Sequence, residues 1–160
     1  MSIEIARAYC PICATEVDVP VDMMAALATA PGLIAEAVRA ASGGAAEGWS
    51  PAEVAAHLAD TEVVTGWRLR EILSEDEPTI QPYDQEKWAA ALRYKQRDPE
   101  LALEAFAAAR RANLELLGLL SDEEWERTCV QPEYGRQTLR TRIRHKSDHD
   151  LAHLRQIRGG

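Results

Sequence analysis

The segment Ser50–Glu53 carries three signals for the start of a helix, and it is the clearest helix start in the sequence. Ser50 is a preferred N-cap residue, Pro51 suits the first helical position, and Glu53 completes a Ser-x-x-Glu capping box. The residues that follow repeat at helical spacing and predict a helix to about Leu73 with one buried face. A long amphipathic helix of this kind has to pack against other helices, which favours an all-α bundle.

Similar signals predict the remaining helices. Asp22 is the predicted N-cap of a helix that runs to Ala41, interrupted or kinked at Pro31-Gly32, and Ser42-Gly43-Gly44 ends it. The acidic, proline-broken segment 74–82 predicts a crossover between bundle helices. Four further helices are expected: a short one over 84–94, a long one from Pro99 to about Leu120 behind Asp98, one or two turns around Trp125 behind Ser121, and a last one from Leu139 to about Arg158 behind Thr138. Residues around Pro132 and Gly135 are expected to form a loop.

The amino-terminal residues follow a different pattern. Ile3-Glu4-Ile5 and the alternating residues 17–21 lie on either side of Cys10-Pro11-Ile12-Cys13 and predict two short strands around a turn. We therefore divide the chain into an amino-terminal extension with a CxxC pair, residues 1–21, and a four-helix bundle domain, residues 22–160.

Composition excludes several classes of protein. A chain of 160 residues fits one domain, and a net charge of −8 argues against a nucleic-acid partner. The one basic cluster, between Arg136 and Lys146, is expected to be a solvated helix face. No apolar stretch approaches the roughly 20 residues of a membrane span, and the start of the sequence lacks the features of a secretory signal. These observations predict a cytoplasmic protein with no membrane partner, and three cysteines argue against a disulfide framework.

The histidines are the strongest indication of chemistry. His57 lies on the buried stripe of the second long helix, and His145, His149 and His153 are spaced four apart on one face of the last helix. Two histidines at i and i+4 chelate one ion, and a third from a neighbouring helix completes a site with an open position. This pattern predicts a divalent metal on His57, His149 and His153. His145 is expected to line the pocket or support a ligand, because three successive turns reach a single ion only with strain.

Two segments resemble the motifs of a known family. Residues 49–60, Trp-Ser-Pro-Ala-Glu-Val-Ala-Ala-His-Leu-Ala-Asp, and residues 149–157, His-Asp-Leu-Ala-His-Leu-Arg-Gln-Ile, are similar to the two metal-binding segments of the DinB/YfiT-like superfamily. Residues 82–88 and 138–139 also fit, so the resemblance covers about 22–158. It implies a four-helix bundle with a long crossover connection between helices two and three, and a histidine triad of His57, His149 and His153. It also implies activation of a low-molecular-weight thiol, in S-transfer or in isomerisation of maleylpyruvate.

The CxxC segment lies outside this resemblance. Cys10 and Cys13 look like half of a zinc knuckle, but the only other cysteine is Cys129. Ordinary reduced thiols are favoured over zinc shared between subunits or completed by another residue, and over a redox pair. Asp60, Thr61 and Glu62 are candidates to orient a ligand or take a proton, although acidic residues on helices are usually solvated. Tyr83, Arg142 and Gln156 are candidates to line the pocket, although a structural role is favoured for each.

These features together predict a metal-dependent enzyme that acts on a small molecule. Zinc is the first choice of metal, with nickel, manganese or iron as alternatives. Thiol-dependent transfer is the first reaction considered, with a low-molecular-weight thiol as possible cofactor, and hydrolysis is the second. The alternative is a non-catalytic metal- or small-ligand-binding stress protein. A homodimer is expected, because twofold association is the commonest oligomer.

Overall fold

Helices make up most of the computed structural model, which describes residues 3–10, 15–41 and 48–159. The helices are α1 (Met23–Ala40), α2 (Pro51–Ser74), α3 (Gln85–Ala91), α4 (Pro99–Gly118), α5 (Asp122–Trp125) and α6 (Leu139–Arg158). The strands are β1 (Ile5–Cys10), β2 (Thr15–Pro20), β3 (Thr128–Gln131) and β4 (Gly135–Thr138). A single 3-10 turn, Tyr94–Gln96, follows α3.

The predicted helix starts are confirmed by their hydrogen bonds. The Ser50 hydroxyl accepts from the Glu53 amide at 3.3 Å, and Glu53 Oε2 accepts from the Ser50 amide at 3.0 Å, which completes the capping box. Three further side chains cap α1, α4 and α6 as expected: Asp22, Asp98 and Thr138. α1 continues through Pro31, because Ala30 and Ile34 on either side of it are buried in the core. The residues expected to end α1, 42–44, lie outside the described residues.

Four long helices form the bundle. α4 packs between α2 and α1, and α6 packs against both α1 and α2. Their buried faces form two apolar clusters, one around Leu58 and Phe106 and one around Leu69 and Ile143. Residues 75–98 connect α2 to α4 and include α3. The predicted four-helix bundle with a long crossover is therefore confirmed.

By length and composition α1 is apolar enough to cross a membrane. In the structure, four of its residues are buried and it packs against α4 and α6. A core helix of a bundle has the same composition, and α1 packs as one of the bundle helices. The absence of a membrane partner stays a prediction.

The segment around Pro132 and Gly135 was expected to be a loop, which is confirmed for residues 132–134 but wrong for Gly135 and for the strands on either side. β3 and β4 pair there as an antiparallel hairpin, with Gln131 opposite Gly135. The crossover segment forms hydrogen bonds with β3 of this hairpin. Ile80 donates to the Val130 carbonyl at 2.8 Å, and Val130 donates to the Pro78 carbonyl at 3.0 Å. Four-residue strands rich in Thr, Gln and Arg lack the apolar alternation that reveals longer strands. The hairpin covers one end of the bundle beside α6.

The amino-terminal strands also form a hairpin, in which Cys10 pairs with Thr15 and Ile5 with Pro20. The first strand begins at Ile5 and reaches Cys10, later in the chain than Ile3–Ile5. β2 packs against α6, where Asp18 pairs with Arg155 at 3.0 Å. Residues 11–14, including Cys13, lie outside the described residues. The division of the chain at residue 21 stays a prediction.

Candidate metal centre

The three predicted histidines meet between α2 and α6. His149 Nε2 lies 3.2 Å from His57 Nε2 and 3.2 Å from His153 Nε2. Each residue offers a nitrogen within 4.8 Å of the other two. His57 is 1% exposed, whereas His149 and His153 are half-buried, so the cluster has a buried side and an open side.

The spacing of these nitrogens fits a divalent metal. Zinc–nitrogen bonds of about 2.0–2.1 Å at tetrahedral angles place ligand nitrogens about 3.3 Å apart. His153 Nδ1 lies 2.8 Å from Gln156 Oε1. An amide oxygen only accepts, so this contact places the proton on Nδ1 and leaves the Nε2 lone pair for a metal. Trp49 packs against the His57 ring, with centroids 4.7 Å apart, and fixes its orientation.

Electrostatics also favour metal binding over protonation. Burial lowers the pKa of His57 to about 2 and that of His149 to about 4. Burial also lowers the pKa of His153. The imidazoles are therefore neutral at neutral pH, and neutral imidazole is the form that binds metals.

A cavity of about 260 Å³ opens beside His57 and His149. Thr61 Oγ1 lies 3.3 Å from His57 Nε2 and 3.4 Å from the Tyr83 hydroxyl. The remaining lining combines apolar and basic residues with the acidic residue Glu133. Its apolar residues include Leu69, Ile72, Leu139 and Ile143, and its basic residues are Arg68, Arg142, His145 and Lys146.

Beneath the histidines lies a buried ion-pair network. Arg110 Nη2 donates to Glu62 Oε2 and to Asp150 Oδ2, both at 2.7 Å, and Lys146 Nζ donates to Asp150 Oδ1 at 2.6 Å. Asn113 donates to Glu62 Oε1 at 2.8 Å. The opposite charges hold the pKa of Glu62 and of Asp150 below their ordinary values despite burial, which raises both. Because Asp150 follows His149, this network fixes the position of one predicted metal ligand.

The network corrects two expectations. Glu62 was expected to be solvated, but it is 1% exposed, because Arg110 and Asn113 supply its partners. Lys146 was assigned to a solvated basic face, but it is 6% exposed and ion-paired. Arg142 of the same face reaches the cavity and donates to Gln131 at 2.6 Å and Gln137 at 2.9 Å. Lys146 and Arg142 therefore have different surroundings although both lie on α6: Lys146 is ion-paired in the core, and Arg142 lines the cavity.

Some of the other candidate residues line the cavity and others do not. Thr61, Tyr83 and Arg142 line the cavity, and so does His145. Asp60 instead pairs with Arg97 at 2.8 Å. Arg68 was missed, although it lies three helical turns after His57 and therefore on the same face of α2.

The cysteines lie outside the cavity. Cys10 is buried at the end of β1, with its Sγ 3.7 Å from His145 Nδ1. Cys129 is fully buried in the core cluster around Leu69, where burial raises its thiol pKa. Neither thiol is positioned as a nucleophile in the cavity.

Comparison with known proteins agrees with this arrangement. The sequence profile of the DinB superfamily matches residues 22–157. The chain belongs to the DinB superfamily. This match includes all three histidines and confirms the resemblance noted in the sequence.

Two DinB-superfamily relatives carry the name "Putative metal-dependent hydrolase". The one from Oceanobacillus iheyensis is 33% identical over 110 residues, covering 69% of this chain and 63% of the relative. YfiT from Bacillus subtilis is 28% identical over 115 residues, covering 69% of this chain and 64% of the relative. These sequence matches therefore span less than two thirds of the relatives' length.

A solved structure shows the same fold. It is titled as YfiT from Bacillus subtilis, a probable metal-dependent hydrolase with an unusual four-helix bundle topology. The two structures match with a TM-score of 0.79 and 25% sequence identity, over 84% of this chain and 81% of that chain. The two proteins therefore share the four-helix bundle fold.

Proposed function

We propose that this DinB-superfamily chain is a metal-dependent hydrolase of small anionic molecules. The observation that carries the proposal is the convergence of three Nε2 atoms: His149 Nε2 lies 3.2 Å from that of His57 and 3.2 Å from that of His153. His57 and His149 also line a cavity that contains basic residues. The names of the relatives support metal-dependent hydrolysis.

His57, His149 and His153 would hold the ion, with zinc as the first choice and nickel, manganese or iron as alternatives. A divalent metal supplies Lewis acidity, which lowers the pKa of a bound water or thiol so that a nucleophile exists at neutral pH. Three protein ligands leave a position open, which distinguishes catalytic from closed structural sites. Two of the three ligands, His57 and His149, line the cavity.

The chain's own residues support hydrolysis at this position. Thr61 donates its hydroxyl proton to the His57 carbonyl at 2.7 Å, so its oxygen is left to accept from Tyr83 or from a group in the cavity. The Tyr83 hydroxyl is thereby placed beside the triad, where it orients the nucleophile or the scissile group by a hydrogen bond. Tyr83 is held in turn by Arg68, whose guanidinium carbon lies 5.6 Å from the ring centroid.

Two guanidinium groups favour an anionic substrate. Arg142 donates to the side-chain oxygens of Gln131 and Gln137, and Arg68 donates to the backbone oxygen of Gln81. These acceptors are uncharged. Glu133 also lines the cavity and Glu71 lies near Arg68, but in the described part of the chain neither arginine forms an ion pair, so a carboxylate or phosphate in the cavity would pair directly with both. Guanidinium groups bind such anions in two-point geometry.

Metal analysis with matched variants tests the site. We expect His57→Ala, His149→Ala and His153→Ala each to lose the triad ion, whereas His145→Ala keeps it. The triad ion is identified as the one that His149→Ala removes from wild type. Full metal occupancy in the His149→Ala protein would overturn the assignment.

Turnover of anionic and uncharged esters of equal size tests the reaction. The zinc-loaded protein should hydrolyse the anionic esters faster, and Arg142→Ala should raise their KM by about 10- to 100-fold, as loss of a charged contact costs roughly 1.5–3 kcal/mol. Arg158→Ala, an exposed arginine at the end of α6, should leave KM unchanged. Equal rates for both ester classes would contradict the anionic preference.

Thiol-dependent transfer would use the same open position. The described thiols of Cys10 and Cys129 are outside the cavity lining, so the sulfur would come from a soluble thiol. Calorimetry with a panel of small thiols, comparing the zinc-loaded wild type with His57→Ala, separates the two reactions. Thiol binding that requires the metal, together with thiol-dependent consumption of electrophiles and no ester hydrolysis, would replace hydrolysis by S-transfer. A protein that does neither is a metal-binding protein.

A further inference from the structure

We propose that Cys10, His145 and Asp148 form a second metal site, of the zinc class, that joins the amino-terminal hairpin to α6. This site is separate from the histidine triad and does not depend on the proposed function. One ligand comes from the end of β1 and two come from α6.

The distance between sulfur and nitrogen fits a shared ion. Cys10 Sγ lies 3.7 Å from His145 Nδ1. A zinc–sulfur bond of about 2.3 Å and a zinc–nitrogen bond of about 2.0–2.1 Å, at a tetrahedral angle, place these two atoms about 3.6 Å apart. An Asp148 carboxylate oxygen lies within 4.8 Å of Cys10 Sγ and of a His145 ring nitrogen.

The local structure presents the three ligands together. Cys10 is 5% exposed, and its strand partner β2 packs against α6. His145 and Asp148 are three residues apart on α6 and therefore neighbours on its surface. All three side chains line a cavity of about 130 Å³. A water molecule needs roughly 10–15 Å³ of such volume, so an ion and a water ligand fit.

The chemistry of the donor set selects a soft or borderline divalent ion. A thiolate and a carboxylate together carry two negative charges, which balance a divalent cation, and neutral imidazole adds none. Thiolate ligands favour zinc over magnesium or calcium. Arg140 and Arg144 also line the cavity. Arg140 pairs with Glu126 at 2.6 Å, which offsets its repulsion of a cation, and the positive charge of Arg144 favours the ionised form of the Asp148 carboxylate.

An ion at this position would act as a clip. The extension contacts α6 through β2 and through the Asp18–Arg155 ion pair. A metal shared by Cys10, His145 and Asp148 adds a second link at the other end of the hairpin. Among the alternatives left open by the CxxC sequence, this geometry favours zinc completed by residues from elsewhere in the chain.

Cobalt titration of the full chain tests the second site. Cobalt bound to a thiolate gives an intense sulfur-to-metal charge-transfer band, which cobalt bound only to histidine lacks. We expect wild type to show this band, Cys10→Ser and Asp148→Asn to lose or weaken it, and Cys129→Ala to keep it. Cys10→Ser should bind cobalt more than about 100-fold more weakly at this site, because even loss of a supporting partner costs about 10–100-fold.

The same titration distinguishes the second site from the histidine triad. His149→Ala should retain the charge-transfer band while losing the triad ion, and Cys10→Ser should retain the triad ion while losing the band. Retention of the triad ion also shows that Cys10→Ser is folded. The proposal is overturned if wild type shows no thiolate band, or if Cys10→Ser gives the wild-type band.

Limited proteolysis provides a second measurement on wild type and on the same variants. Zinc should slow cleavage within residues 1–21 by at least about tenfold, and this protection should persist in His149→Ala and be absent in Cys10→Ser. Equal cleavage of the extension with and without zinc would contradict a metal clip.

Discussion

Single side chains decide how the histidines are presented to a metal. His153 is oriented by Gln156, whereas His149 Nδ1 lies 3.8 Å from Asp150, beyond hydrogen-bond distance. Among the described residues, His57 Nδ1 is buried without a hydrogen-bond partner. His57 is instead held by packing against Trp49. Gln156 is therefore the described residue whose hydrogen bond orients a triad ring through its second nitrogen.

We expect Gln156→Ala to weaken zinc binding at the triad by about 10–100-fold, because loss of a hydrogen bond to a ligating histidine frees its tautomer and orientation. Competition with a zinc chelator measures this change. Arg158→Ala, at the exposed end of the same helix, is the control and should keep wild-type affinity. Equal affinities of the two variants would show that Gln156 does not position the ligand.

At the scale of elements, α2 and α4 approach closely at Gly66. A Cβ atom at this position would lie 2.6 Å from Asn113 Oδ1. Asn113 is buried, and it donates to Glu62 at 2.8 Å. The close packing of α2 against α4 therefore requires glycine at position 66, because glycine has no side chain.

Gly66→Ala should lower the free energy of unfolding by about 0.5–2 kcal/mol. Alanine gains about 1 kcal/mol of helix propensity, but displacing Asn113 breaks a hydrogen bond to a carboxylate that contributes roughly 1.5–3 kcal/mol. Gly118→Ala, at the end of α4, has no atom within 4 Å of the new Cβ and should stabilise the protein slightly. Urea unfolding measures both changes, and stabilisation by Gly66→Ala would contradict the close approach.

The buried network joins all four bundle helices. Arg110 of α4 contacts Glu62 of α2, Asp150 of α6 and the Leu27 carbonyl of α1. Two buried carboxylates share the positive charge of Arg110. Lys146 adds a second positive charge, 2.6 Å from Asp150 and 3.7 Å from Glu62. Truncating Arg110 leaves the carboxylate charges poorly compensated.

We expect Arg110→Met to lower the free energy of unfolding by about 3–5 kcal/mol, because breaking a buried ion pair leaves an uncompensated charge. Arg39→Met removes an exposed pair with Glu100 and should change stability little. Denaturant unfolding of both variants tests the difference. A loss below about 1 kcal/mol in Arg110→Met would mean that Lys146 alone compensates the carboxylates.

At the scale of the whole molecule, we expect a homodimer. The described surface includes large apolar side chains on α2, among them Val63 and Trp67, which are 63% and 66% exposed and one turn apart. Twofold association is the commonest way to cover such residues. Light scattering should give twice the 17.7 kDa of the chain. A monomeric mass well above micromolar concentration would count against the dimer.

The sequence by itself determined the helices and the metal-binding candidates. Helix caps such as Ser50 and Asp98 act within a few residues, so local sequence places them. The i, i+4 spacing of His149 and His153 puts both on one helix face for the same reason, and the buried stripe of α2 turns His57 inward.

Tertiary structure alone decided which charges are buried and what faces each site. Glu62, Arg110 and Lys146 look like surface residues until three helices bring them together, because the desolvation of each charge is offset only by partners distant in sequence. The β3–β4 hairpin depends on pairing with the crossover. Cys10 and His145 are 135 residues apart, so no local pattern joins them, and only the packing of the hairpin on α6 places them 3.7 Å apart.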